Sequence, residues 1–141
     1  GYEADMQFIK VVIGPNDDWL GMRVADLNMP LGIIIAIVKR GEEILIPRGD
    51  LELRKDDVIV LGAEPYEEQE HIKLKEVVLK KQNPWTGVRI RDLDISRQSI
   101  IVLVKRKNKL LIPNGNMKLE AGDRVFLYTK MHLSDASEIE I

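Results

Sequence analysis

The chain has 141 residues, 45% of them apolar and 31% charged, the balance expected of an ordinary soluble globular protein. Its 21 basic and 23 acidic residues leave a net charge of −2, which gives no reason to expect nucleic acid or an anionic membrane surface as partner. It has no cysteine, which excludes disulfides and thiolate metal sites, and no apolar run approaches the roughly 18 residues of a membrane span.

Phe8 to Ile13 is a short apolar run with one lysine, and its pattern predicts a strand stopped by Gly14-Pro15-Asn16. Asp17 is a good helix N-cap, and Leu20, Val24 and Leu27 behind it fall at helical spacing, which predicts a short helix with one apolar stripe. Pro30 and Gly32 end it. Ile33 to Val38 is six apolar residues in a row and reads as a strand buried on both faces. Lys39 to Glu43 turns the chain, Ile44-Leu45-Ile46 runs back, and Pro47 stops the pairing. Leu51-Glu52-Leu53 is a brief extended piece, and Val58 to Leu61 is a last strand. This β-α-β-β-β course has hairpin-length connections after the helix. It predicts an α+β unit, a small and mostly antiparallel sheet with one short helix against it.

The same course then recurs 66 positions later. Trp19-Leu20-Gly21-Met22-Arg23 returns as Trp85-Thr86-Gly87-Val88-Arg89, Val38-Lys39-Arg40 as Val104-Lys105-Arg106, and Asp57 as Asp123. Residues 8–63 align on 74–129 without a gap and are identical at 19 of 56 positions, about a third. Strands are expected at 74–79, 100–104, 110–112 and 125–128, with a helix near 85–93 opened by Asn83 and Pro84. A direct repeat of this length is a small domain rather than a solenoid unit. The expected division is a first domain at 1–63, a linker at 64–73, a second domain at 74–131 and a tail at 132–141. A unit this small buries only about 60% of its unfolded surface, so the two are expected to pack on each other as a pseudo-twofold pair. The opening Gly-Tyr-Glu leads to the expectation of a fragment excised from a longer polypeptide.

Catalytic chemistry is sparse, and no enzyme activity is expected. The two histidines, His71 and His132, lie in the linker and near the tail and cannot assemble a triad. No glycine-rich phosphate loop is present. Glu67, Glu68 and Glu70 offer a hard cation carboxylates, but read better as a solvated linker. Lys105 to Lys109 is basic but lacks interleaved aromatics and sits at a hairpin tip. Trp19 and Trp85 are expected to cover the edge of each core. Two repeated features remain: the Ile-Ile strand ending in Lys-Arg, and Ile-Pro-x-Gly. An apolar pair, a proline and an arginine suit a pocket that stacks a base and pairs a phosphate. A buried strand, its hairpin and a Pro stop would leave the same pattern.

This ordered set resembles a known family, the RCK C-terminal (TrkA-C) domain of prokaryotic ion channels and transporters. It is carried by Gly21 to Leu27, Ile34 to Gly41, Pro47-Arg48-Gly49-Asp50, Leu53 and Asp57 to Gly62, then by Gly87 to Leu93, Ile100 to Arg106, Pro113 to Asn116, Leu119 and Gly122 to Leu127. The resemblance implies a non-enzymatic regulatory module on the cytoplasmic side of the cell membrane. It implies a transmembrane ion or solute transporter as partner and a homodimer. It implies cyclic di-AMP or a monovalent or divalent cation as regulatory ligand, with no resident cofactor and no insertion into the membrane. Carried over position by position, the ligand site is Ile34, Ile35, Arg40, Ile46 and Pro47, with Ile100, Ile101, Arg106, Ile112 and Pro113 in the second copy. A ligand-free dimerisation platform is the alternative.

Overall fold

The computed structural model describes residues 2–64, 70–95 and 99–132. Its strands are β1 (Tyr2–Met6), β2 (Phe8–Val12), β3 (Ile33–Arg40), β4 (Glu43–Leu45), β5 (Val58–Ala63), β6 (Glu70–Val78), β7 (Ser99–Arg106), β8 (Lys109–Leu111) and β9 (Arg124–His132). The first repeat forms a four-stranded sheet ordered β2-β5-β3-β4, and the second a five-stranded sheet ordered β1-β6-β9-β7-β8. Every pairing between named strands is antiparallel, as the short connections require. β1 has no counterpart among the strands expected from the sequence. It adds an edge strand to the second repeat's sheet, with Tyr2 opposite Val78 and Met6 opposite Leu74. Gln7 alone separates it from β2 in the other sheet, so the chain switches sheets within one residue. β6 begins at Glu70, inside the stretch expected to link the repeats. Glu67, Glu68 and the end of the tail lie outside the described residues.

The expected helices are corrected. Among the described residues there is no α-helix, and each helical stretch shrinks to one 3-10 turn, Val24–Asp26 and Ile90–Asp92. Glycine is the cause: Gly21 and Gly87 take φ of +81° and +85°, a left-handed conformation that stops a right-handed helix. The backbone groups then bond across to the following loop instead of along the chain. Gly21 N–H donates to the Leu53 carbonyl at 2.8 Å, Leu53 N–H to Met22 at 2.8 Å and Val24 N–H to Leu51 at 2.9 Å. The second repeat copies this, Gly87 N–H donating to Leu119 and Leu119 N–H to Val88. Leu20, Val24 and Leu27 had helical spacing, but a stripe of three is too short to outweigh a glycine in its middle.

In each repeat one sheet face covers its own turns: Val11, Val38, Ile59 and Leu61 in the first, Val77, Val104, Val125 and Leu127 in the second. The opposite faces have different fates. In the second repeat Leu74, Leu103, Leu110, Phe126 and Tyr128 are buried in the same cluster as Ile9, Trp19, Leu27 and Leu53 of the first. The second sheet therefore packs its outer face on the turn-bearing side of the first repeat. The Tyr128 hydroxyl donates to the Leu31 carbonyl (3.1 Å) and Lys105 Nζ to the Val12 carbonyl (3.4 Å) across this contact. In the first repeat the matching face is open, with Phe8, Val12, Ile34, Ile37 and Ile44 exposed. Two further expectations are thus corrected. The repeats meet through unlike surfaces rather than as a pseudo-twofold pair. The strand from Ile33 is buried on one face, because none of the described residues covers the other.

Candidate functional site

β4 and the loop after it form one wall each of an open cleft in the first repeat. It has a volume of about 620 Å³, and its lining includes Arg40, Ile44, Ile46, Arg48, Glu52 and Arg54. Pro47 removes a ladder donor, so β4 ends at Leu45 and the chain bends back along the floor. Ile44 on this short strand and Ile46 just past its end stand 67% and 69% exposed.

Arg40, at the end of β3, is held as part of the frame. Its Nε and Nη2 donate to the two carboxylate oxygens of Asp57, each at 2.9 Å, and Nη2 also donates to the Glu52 carbonyl at 2.9 Å. Asp57 is fully buried and accepts the Arg54 N–H as well (2.8 Å). Burial opposes ionisation of Asp57, but the hydrogen bonds from the Arg40 guanidinium and the Arg54 N–H outweigh it and hold the carboxyl below the usual range. The hydrogen bond to Asp57 raises the Arg40 pKa still further, against a smaller opposing effect of burial. The second repeat reproduces the clamp: Arg106 Nε and Nη2 meet Asp123 at 2.9 Å each, and Nη2 meets the Lys118 carbonyl at 3.0 Å. Arg106 is raised likewise, first by its hydrogen bond to Asp123. These forked, charge-assisted bonds staple β3 to β5 and β7 to β9 at their ends.

The remaining candidate residues do not all converge. Ile34 and Ile35 are neighbours on one strand and so point to opposite faces. Ile34 is exposed and lines a second opening of about 430 Å³ with Met29, Pro30 and Leu31, whereas Ile35 packs against the core. Pro47 is half-buried beside Ile46. In the second repeat Ile100 is exposed, Ile101 is buried in the core, and Ile112 and Pro113 are half-buried. Arg40 and Ile46 thus share a cleft, and its lining comes from the first repeat alone.

The equivalent strand edge of the second repeat is closed. Asp17 and Asp18 of the first repeat lie against β8: Asp17 Oδ1 accepts the Leu110 N–H (3.0 Å), Asp18 Oδ2 the Ile112 N–H (2.8 Å), and Asp18 N–H donates to the Leu110 carbonyl (3.3 Å). Leu110 is 0% exposed where its counterpart Ile44 is 67%. Asp17, expected as a helix cap, instead bonds Gly14 N–H through Oδ2 and clasps the other repeat through Oδ1. Its partner turn, Lys107-Asn108, has positive φ at both residues, the pattern of a type I′ hairpin, and packs beside Pro15 to Asp17.

Several cleft residues lie outside the ligand set expected from the sequence, among them Ile44, Arg48, Glu52 and Arg54. Arg48 and Arg54 are exposed, and neither has a side-chain ion pair among the described residues. Their counterparts are Asn114 and Glu120, so the difference was available in the repeat alignment.

A search of curated proteins finds no match. The family model for the TrkA-C domain matches twice, at residues 8–68 and 74–136, which together take in most of the chain. With two complete sheets, each closed by its own arginine–aspartate clamp, this chain belongs to the TrkA-C domain family and carries the domain twice in tandem.

Proposed function

We propose that the chain is a ligand-sensing regulatory module of a membrane ion or solute transporter, and that the first-repeat cleft takes the ligand. TrkA-C is a regulatory domain family associated with ion transport, not a catalytic one. The carrying observation is the pairing, in one open cleft, of exposed Ile44 and Ile46 with Arg48 and Arg54. Apolar side chains beside guanidinium groups that make no ion pair among the described residues suit a flat ligand bearing phosphate, and cyclic di-AMP is the proposed occupant. In this reading Arg40 holds the wall in place and Arg48 and Arg54 supply charge. A ligand bridging β4 and the 48–54 loop would favour one arrangement of the cleft and bias a gate in the attached transporter, a coupling typically worth about 1–3 kcal/mol. The module would then stand at the cytoplasmic side of the membrane.

Calorimetric titration with cyclic di-AMP tests this. Saturable heat that disappears in Arg48→Ala and Arg54→Ala supports it, and no heat at high micromolar ligand removes the nucleotide. A second reading, a ligand-free structural platform, is favoured by the commitment of both clamp arginines to internal carboxylates. It predicts that Arg48→Ala leaves regulation of the transporter unchanged.

A further inference from the structure

The open outer face of the first repeat is the unfilled counterpart of a surface the chain already buries once. Register places Phe8, Gly62 and Ile34 in one row across β2, β5 and β3, with Ile44 opposite Lys39 at the far edge. In the second repeat the same positions are Leu74, Tyr128, Ile100 and Leu110, and three of these four are buried against the turn-bearing side of the first repeat. Among the described residues, the second repeat's own turn-bearing side is less covered than that of the first. Trp85 and Leu93 are half-buried, whereas their counterparts Trp19 and Leu27 are buried. One chain therefore ends in an apolar sheet face at one side and the matching turn surface at the other.

We propose that a second copy of this chain seats on the open face, bringing the turn-bearing side of its second repeat, so that chains associate head to tail. This contact repeats the internal one between the two repeats. Lys39 occupies the position of Lys105, but the counterpart of its acceptor Val12 is Val78, already paired with Tyr2 of β1, so that bond is not repeated. Unlike surfaces generate rings or open chains rather than closed twofold dimers. The sequence also weakens the repeated contact at one place. Asp17 and Asp18, which clasp β8, correspond to Asn83 and Pro84. Asn83 Oδ1 already accepts the Trp85 N–H (2.9 Å), and Pro84 has neither a carboxylate nor an N–H. Association between chains is thus weaker than the internal contact and reversible.

Sedimentation of the whole chain across a concentration series reads this directly, starting from the 16.1 kDa monomer. The mass should rise with concentration. Phe8→Glu with Ile34→Glu, both at exposed positions, should weaken association by at least about tenfold while circular dichroism stays unchanged. Asn83→Asp with Pro84→Asp restores the clasp and should tighten it by about tenfold. A chain carrying Phe8→Glu and Ile34→Glu, mixed with one carrying Ile90→Glu on the turn side, should still form a one-to-one complex. A monomer up to about 1 mM overturns the proposal and leaves the face to the transporter or another partner. So does association that survives Phe8→Glu with Ile34→Glu, or two blocked chains that fail to complement, which would mean that like faces meet.

Discussion

Arg40 and Asp57, 17 residues apart, meet through two parallel 2.9 Å hydrogen bonds with the carboxylate fully buried. Arg106 and Asp123 repeat the relationship at the same separation. From the sequence the arginines belong to the expected pocket, and the aspartates stand only as a repeated pair. They are one unit, and this changes what their substitution means.

Arg40→Ala leaves a buried carboxylate without its partner and should destabilise the chain by about 3 kcal/mol or more in urea unfolding. Arg40→Lys keeps the charge but loses the fork, and should fall between. A loss of ligand response in Arg40→Ala would therefore report a damaged frame. Arg48→Ala is the cleaner probe of binding, with no stability change expected beyond a few tenths of a kcal/mol.

Acid should unfold the protein through the same group. The folded-state pKa of Asp57 is depressed, so its contribution is fully present above the unfolded value near 3.9 and is lost as pH falls through the lower folded value. Tm should be flat with respect to this group from pH 7 to about 5 and drop below about 4. In Asp57→Asn that part of the pH dependence should vanish, on a lower overall stability.

Asp17 satisfies the Gly14 and Leu110 N–H groups at once. Asp17→Ala orphans both and should cost about 2–4 kcal/mol. Hydrogen exchange locates the effect: the amides of Leu110 and Ile112 should lose protection, while Leu119, bonded to Val88 in its own repeat, should keep it. Equal loss at all three would mean global unfolding rather than an opened contact.

The two tryptophans should report the unequal covering of the repeats. Trp19 is 2% exposed and Trp85 half-buried. In single-tryptophan variants, Trp85→Phe should show blue-shifted emission poorly quenched by iodide, and Trp19→Phe the reverse. Equal quenching would contradict the stacking.

The strands and hairpins were legible because their signals are local: β-branched runs, Pro47 as a stop, and Gly or paired turn residues at each hairpin. The helices were misread because Gly21 and Gly87 cut a stripe of three apolar residues, and the bonds that replaced the helix run to residues near 50 and 117. β1 was missed because Tyr-Glu-Ala-Asp-Met has little apolar pattern of its own; its partner Leu74–Val78 lies 72 residues downstream. Arg40 and Ile46 line the cleft; Arg48 stands in the sequence within Pro47-Arg48-Gly49-Asp50, and it and Arg54 differ in charge from their counterparts Asn114 and Glu120.

By itself the sequence determined that a single sheet-forming unit is used twice, with an arginine and an aspartate at the same places in each. Those features follow from spacing along the chain. Which face of each sheet is covered was decided in three dimensions. Ile44 and Leu110 are equally apolar, yet one stands in solvent and the other is sealed under Asp17 and Asp18. Hydropathy states what a side chain prefers; burial depends on whether a complementary surface is supplied, and this chain supplies it to one repeat and leaves the other open.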